Sequence, residues 1–97
     1  MNYYIISKIE PKQGGMSNIH KAMIGCECNI LKLHVNHSAW IRYYPENEMK
    51  YGRLAYTSAV EKIDINETGV VTLHTRNTVY SFEMIRGSLK EIVENAD

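Results

Sequence analysis

Residues 70–84 read VVTLHTRNTVYSFEM, and this stretch decides the fold class. Two runs rich in β-branched and aromatic residues, 70–75 and 78–84, flank the dipeptide Arg76-Asn77. Asparagine tolerates the left-handed backbone conformation that a two-residue hairpin loop requires. The pattern therefore predicts an antiparallel hairpin whose second strand points three side chains to one face, Tyr80, Phe82 and Met84.

Turn signals recur at short intervals upstream of this hairpin. The segments 66–69, 36–38 and 11–18 are rich in Gly, Asn, Ser or Pro, and 45–52 is a polar loop that begins at Pro45. The runs between them favour strands because they contain many β-branched and aromatic residues. The predicted strands cover 3–9, 22–35, 39–44 and 53–58, and the last of these carries on through 60–65 after a short irregularity.

The predicted strand at 22–35 changes phase at its centre. From Ile24 to Ile30 the apolar residues occupy even-numbered positions, whereas from Leu31 to Val35 they occupy odd-numbered positions. Two adjacent apolar residues with a phase change indicate a β-bulge or a bend. Small barrels turn their corners in this way.

Six or so short strands in a chain of 97 residues predict one all-β domain spanning 1–97. A sandwich usually needs about seven strands. We therefore predict an SH3-like or OB-like bent-sheet barrel of five or six strands. Residues 88–95 begin with a capping serine and carry Leu89, Ile92 and Val93 at helical spacing, which predicts a short C-terminal helix.

Charge and composition argue against several classes of function. Lys and Arg total 11, Asp and Glu total 11, and the formal net charge is +0 at pH 7. The composition argues against nucleic-acid binding, because proteins that bind phosphate backbones by counterion release normally carry a basic excess. No run approaches the roughly 20 apolar residues of a membrane span, and no signal peptide is evident. Two cysteines in such a chain fit a reducing compartment, so we predict a cytoplasmic protein with no membrane partner.

The sequence predicts no metal site and no cofactor. Cys26 and Cys28 would lie on one face of a strand about 7 Å apart, which a metal could use. A structural zinc site needs four ligands, and no second pair has matching spacing, so we interpret both cysteines as core residues. His34 and His37 straddle a turn and could converge, but a metal site would want a third ligand.

We also predict that the protein is not an enzyme. No serine stands in a Gly-x-Ser-x-Gly setting, and no cysteine has a nearby base. The carboxylates fall in predicted turns and on polar strand faces, where they are solvated. The prediction therefore includes no catalytic residue.

The strand at 39–44 contains the strongest candidate for a binding surface. Trp40, Arg42 and Tyr44 share one parity of this strand, and Ile41 and Tyr43 share the other. In one arrangement Trp40 is in the core and the Arg42 side chain extends to solvent from the edge. In the other, Ile41 and Tyr43 face the core and an outward stripe is exposed beside the loop that carries Tyr51; Arg42, which resists burial without a partner, favours this arrangement. Trp, Tyr and Arg commonly anchor interfaces, so the candidate binding residues are Trp40, Arg42, Tyr44 and Tyr51.

Two segments carry a resemblance to known proteins. Residues 56–63 read YTSAVEKI, and 75–80 read TRNTVY. Over 54–84, about a third of the chain, the sequence resembles small uncharacterised β-barrel proteins of low-GC Gram-positive bacteria and their phages. The resemblance implies a small β-barrel of mobile-element origin and implies no site residues. In structural terms, Thr57-Ser58 at a strand corner can bond the backbone of the bend, and the segment 75–78 forms the hairpin turn.

These observations predict a non-catalytic protein-binding module that uses the strand at 40–44 and the loops at 11–19 and 45–52. A phage-encoded modulator of a host system is one version, which the resemblance implies. The alternative is a small-molecule or nucleotide binder that acts at a homo-oligomer interface. Weak nucleic-acid binding comes third.

Overall fold

The computed structural model describes residues 2–87. Within them the chain forms six strands that close into an antiparallel barrel, one α-helix and one turn of 3-10 helix at Glu46–Glu48. The prediction of a small, mainly β barrel is confirmed. The predicted helix at 88–95 lies outside the described residues. The strands and the helix are β1 Tyr3–Pro11, α1 Asn18–Met23, β2 Glu27–Lys32, β3 Ser38–Tyr44, β4 Arg53–Ile65, β5 Val70–Thr75 and β6 Thr78–Arg86.

The strand order is a simple meander. Each strand pairs with its neighbours in sequence, and β6 returns to pair with β1. This order differs from the Greek-key connection of an OB-fold barrel. Closure satisfies the backbone groups that an open sheet would leave unpaired at its edges.

Register shifts allow the short strands to curve into a barrel. One shift lies between Ile30 and Lys32, where Leu31 is 39% exposed while Ile30 and Leu33 are buried. The predicted phase change at 30–31 is thus an added residue in β2. β4 is a single strand of 13 residues that pairs first with β3 and then with β5. The predicted continuation of 53–58 through 60–65 is thus one strand, and the predicted irregularity is the register shift between Val60 and Lys62.

The core fills the inside of the barrel around Phe82. This ring has no solvent exposure, lies edge-on to Tyr4 with ring centroids 6.0 Å apart, and stacks on Tyr80 at 6.3 Å. Leu73 is also fully buried, and Ile63 is partly buried against the core. The buried apolar residues are Tyr4, Ile6, Ile9, Met23, Cys28, Ile30, Leu33, Ala39, Ile41, Tyr43, Ala55, Val60, Val71, Leu73, Tyr80 and Phe82.

The helix α1 was not predicted, and the strand predicted from residue 22 was wrong at its start. The Ser17 hydroxyl oxygen caps α1 by accepting the His20 backbone N–H at 3.1 Å. Met23 at the end of α1 is buried in the core, whereas Ile24 is 40% exposed. The chain then turns at Gly25, whose φ is 81°, before β2 begins. Ile24 lies outside the core because Met23, at the end of the short helix, fills the core at this point instead.

Hydroxyl side chains join β4 to the turn between β5 and β6. The Ser58 hydroxyl donates to Thr75 Oγ1 at 2.8 Å and accepts the Asn77 N–H at 3.0 Å. Thr75 in turn donates to the Thr78 carbonyl at 2.7 Å and accepts the Thr78 N–H at 3.1 Å. At the strand corner the Thr57 hydroxyl donates to the Ser58 carbonyl at 2.7 Å, which confirms the predicted bond to the backbone of the bend, whereas Ser58 bonds the turn at 75–78 instead. The two segments that carry the resemblance therefore meet in one hydrogen-bond network.

Candidate binding surface

The structure decides between the two arrangements of β3. Ile41 and Tyr43 are buried, and Trp40 points outward with 40% of its surface exposed. Arg42 and Tyr44 share its face and are partly exposed. The outward stripe that the sequence predicted as one alternative is therefore present, and Trp40 is not a core residue.

A second strand extends this stripe. Tyr56 of β4 lies opposite Trp40, with ring centroids 5.7 Å apart and the rings nearly perpendicular at 88°. Leu54 lies opposite Arg42. Tyr56 is 61% exposed and Leu54 is 42% exposed. Together with Lys32, which lies opposite Trp40 on β2, these residues form a surface that we call the outer aromatic surface, Lys32, Trp40, Arg42, Leu54 and Tyr56.

On β4 the usual size pattern of a strand is reversed. The inward residues beside Leu54 and Tyr56 are the small residues Ala55 and Thr57, both buried. Thr57 is satisfied there because its hydroxyl accepts the Ala39 N–H at 2.9 Å. Strands with one solvated face normally place their large apolar residues inside. In this part of β4 the larger side chains face solvent instead.

The charge of the outer aromatic surface is positive. The Lys32 ammonium lies 4.9 Å from the centroid of the Trp40 ring, a cation–π contact. Within residues 2–87, neither Lys32 nor Arg42 forms an ion pair. The neighbouring Arg53 differs, because its guanidinium donates to both carboxylate oxygens of Glu48 at 2.6 and 2.8 Å. These hydrogen bonds lower the pKa of Glu48, and they occupy its carboxylate.

Of the other two predicted binding residues, Tyr44 follows Arg42 on the same face of β3, and Tyr51 lies in the loop after β3. The Tyr44 hydroxyl donates to Oδ1 of the buried Asn29 at 2.8 Å, and Asn29 donates to the Asn2 carbonyl at 2.9 Å. Tyr44 is therefore a structural member of β3 as well as an exposed one. Tyr51 is 72% exposed in the loop after β3, with the Lys50 ammonium 5.2 Å from its ring centroid.

Two shallow depressions lie beside Tyr44 and share Glu27, Tyr44 and Met49. Their volumes are about 360 and 280 Å³. The larger one includes Cys26, whose thiol donates to the Ala22 carbonyl at 3.1 Å. Burial raises the pKa of Cys26, so the protonated thiol dominates at neutral pH and the side chain is a poor nucleophile.

The cysteines and histidines that the sequence offered as metal ligands lie in several parts of the barrel. No group of three or more His, Cys, Asp or Glu residues within 2–87 is arranged to hold a metal ion. Cys28 is fully buried, and burial raises the pKa of its thiol. The His34 and His37 rings meet edge to face with centroids 6.3 Å apart.

His20 is the titratable side chain that α1 places against the core. Its Nε2 lies 3.3 Å from the Tyr80 hydroxyl, and within residues 2–87 its buried Nδ1 has no hydrogen-bond partner. Protonation would place a second N–H at Nδ1 with no acceptor for it. Burial accordingly lowers the pKa of His20 below the ordinary value of 6.5.

We expect acidification to weaken the fold through His20. Because the folded-state pKa is below the unfolded value of 6.5, the unfolded chain binds the proton more readily. The contribution of His20 to stability is complete above that value and declines as the pH falls below it. Urea unfolding of the wild type and of His20→Gln at about pH 7.5 and pH 5.5 measures this difference. The variant should lose less stability than the wild type, and an equal loss would exclude His20 as the source.

No helix within residues 2–87 has the length and apolar character needed to cross a membrane. Comparison of the chain with models of known protein families, with characterised proteins and with solved structures found no match. The functional conclusion therefore rests on the geometry of the outer aromatic surface.

Proposed function

We propose that this protein is a non-catalytic binding module that uses the outer aromatic surface to bind a protein partner. The observation that carries the proposal is the exposed Trp40–Tyr56 pair above small buried residues. Large aromatic side chains and arginine supply most of the binding energy at protein interfaces. A cluster of exposed apolar side chains on a small domain usually marks such an interface.

The shape of the surface favours a protein over a small ligand. The outer face of a closed barrel is convex, whereas small-molecule sites are concave and enclose most of the ligand. A flat or convex aromatic surface gains enough contact area only against a partner that spreads over it. The alternative of a small-molecule or nucleotide binder at a homo-oligomer interface would instead use the depressions beside Tyr44 and Met49.

The resemblance of residues 54–84 supports one specific form of the proposal. In this form a phage or another mobile element encodes the chain, and the partner belongs to a host system in the cytoplasm. Only the resemblance supports this origin, and the surface chemistry supports the binding role independently.

Truncation of the exposed surface should separate binding from folding. We expect Trp40→Ala, Tyr56→Ala and Leu54→Ala each to weaken the partner complex by about 1–3 kcal/mol, because these side chains would be buried only in the complex. Their melting temperatures should change little, since surface substitutions usually alter stability by about 0.5 kcal/mol or less. The partner would be isolated by affinity capture, and its affinity for each variant measured by calorimetry.

Ile85→Ala is a matched control for Leu54→Ala, because both side chains lie on strands and both are 42% exposed. This variant on β6 should bind as the wild type does. Tyr44→Ala is less informative, because it also removes the hydrogen bond to Asn29. Trp40 is the chain's sole tryptophan, so its fluorescence reports on the surface directly. A blue-shifted emission that acrylamide does not quench in the isolated monomer would contradict the proposal.

A further inference from the structure

We infer that the partner presents an acidic polypeptide segment to the outer aromatic surface, with carboxylates on either side of an apolar side chain. This inference rests on the proposed function and specifies the chemistry of the partner. The observation behind it is the placement of two cations, Lys32 and Arg42, next to Trp40.

The two cations flank Trp40 on adjacent strands. Lys32 lies opposite Trp40 in the ladder between β2 and β3, and Arg42 follows two residues later on the same face of β3. The Lys32 ammonium lies 4.9 Å from the centroid of the Trp40 ring, and alternate residues of a strand such as Trp40 and Arg42 lie about 7 Å apart. A partner that spreads over Trp40 and its neighbours therefore contacts both cations.

Elsewhere in the described residues, cations are often neutralised within the chain. Ion pairs join Lys8 to Glu10, Lys12 to Glu61, Arg53 to Glu48, Lys62 to Asp64 and Arg86 to Glu27. Among the described residues, Lys32 and Arg42 form no such pair, and the same holds for Lys21, Lys50 and Arg76. Of these unpaired cations, Lys32 and Arg42 are the two that belong to the outer aromatic surface. The Glu48 carboxylate is bonded to Arg53, the residue before Leu54.

Because binding would remove water from Lys32 and Arg42, the partner has to supply anions in its place. A cation that loses water without gaining an anion costs several kcal/mol, which can exceed what the apolar contacts contribute. A neutral apolar partner over Trp40 and Tyr56 would leave two such cations. A partner with carboxylates spaced to reach both would turn that cost into charge-assisted hydrogen bonds.

Single-stranded nucleic acid shares part of this chemistry, but the geometry favours a polypeptide. A nucleic-acid base would have to stack on the Trp40 ring, and side chains of the chain already contact that ring. The Lys32 ammonium lies over it, and Tyr56 packs perpendicular to it. Two cations would release only about 1.4 counterions from a single strand, which gives weak binding. The net charge of +0 adds no wider attraction.

A selection from a library of random displayed peptides tests the inference before the partner itself has been identified. The wild-type protein would be the bait, and Trp40→Ala would remove peptides that bind elsewhere. We expect the retained peptides to be enriched in Asp and Glu around an apolar residue. Their binding, followed by Trp40 fluorescence, should weaken about tenfold or more in the double variant Lys32→Glu/Arg42→Glu.

The control variant Lys8→Glu/Lys62→Glu makes the same change in net charge at two cations outside the surface. It should bind the retained peptides as the wild type does. Circular dichroism would confirm that both double variants are folded. If Lys32→Glu/Arg42→Glu does not fold, the single variants Lys32→Gln and Arg42→Gln would take its place. A loss of binding confined to the surface variants would support the inference.

Other results would distinguish a failure of the acidic-partner inference from a failure of the proposed function. Retained peptides that depend on Trp40 but are neutral or basic would overturn the acidic-partner inference and leave the proposed function standing. A selection that yields no Trp40-dependent peptide would count against both. Trp40 quenching by an oligothymidylate or oligouridylate at physiological salt, with micromolar affinity, would replace the polypeptide with a single-stranded nucleic acid.

Discussion

Replacing Phe82 by alanine is expected to destabilise the barrel by about 3–5 kcal/mol. The ring is fully buried, and it contacts Tyr4 and Tyr80 from adjacent positions inside the barrel. Alanine would leave a cavity at the centre of a thin core that cannot collapse without breaking the ladders. Domains of this size have total unfolding free energies of about 5–15 kcal/mol, so much of the stability would be lost.

Urea unfolding followed by circular dichroism would measure this loss. Phe82→Leu keeps most of the volume and should cost about 1 kcal/mol. Ile85→Ala changes an exposed side chain on the same strand, and it should lower the free energy of unfolding by about 0.5 kcal/mol or less. A Phe82→Ala protein as stable as Ile85→Ala would mean that β6 buries its other face.

Replacing Thr75 by valine is expected to cost about 2–3 kcal/mol although valine is more apolar and nearly the same shape. Thr75 is fully buried, and its hydroxyl makes three hydrogen bonds, one with Ser58 and two with the Thr78 backbone. Valine would leave the Thr78 N–H and carbonyl without this partner in a buried turn. The cost of these unpaired groups exceeds the small gain from a more apolar side chain.

Thr75→Ser is the matched control because it keeps the hydroxyl and loses only a methyl group. Its cost should be about 1 kcal/mol, so the order of stability is wild type, then serine, then valine. Urea unfolding measures the free energy of each variant. A valine variant more stable than the serine variant would show that packing, and not hydrogen bonding, determines the stability of this turn.

The predictable parts of the fold depend on local signals. The hairpin of β5 and β6 followed from alternation around Arg76-Asn77, and Tyr80 and Phe82, which were predicted to share a face, are both buried. The helix α1 was missed although Ser17 is a typical capping residue. Gly14 and Gly15 suggested a loop, and the even-numbered apolar residues from Ile24 suggested a strand. A six-residue helix that buries mainly Met23 has too short a pattern to outweigh these signals.

The candidate site was predictable only in part. Trp40 and Arg42 were identified because their residue types and shared parity are visible along one strand. Lys32, Leu54 and Tyr56 were not identified, because their membership depends on the register between strands. Residue size does not reveal the buried face of this part of β4, since the small residues Ala55 and Thr57 face inward while larger ones face solvent.

Alternation and turn chemistry act within a few residues of chain, so the sequence predicted the fold class, most of the strands and the two alternative faces of β3. The preference of Arg42 for solvent favoured the face that the structure shows to be outward. The neighbours of that face, Tyr56 against Trp40 and Lys32 beside it, could not be predicted. They depend on which strands the closed barrel makes adjacent and in which register, and a pattern within one strand contains neither.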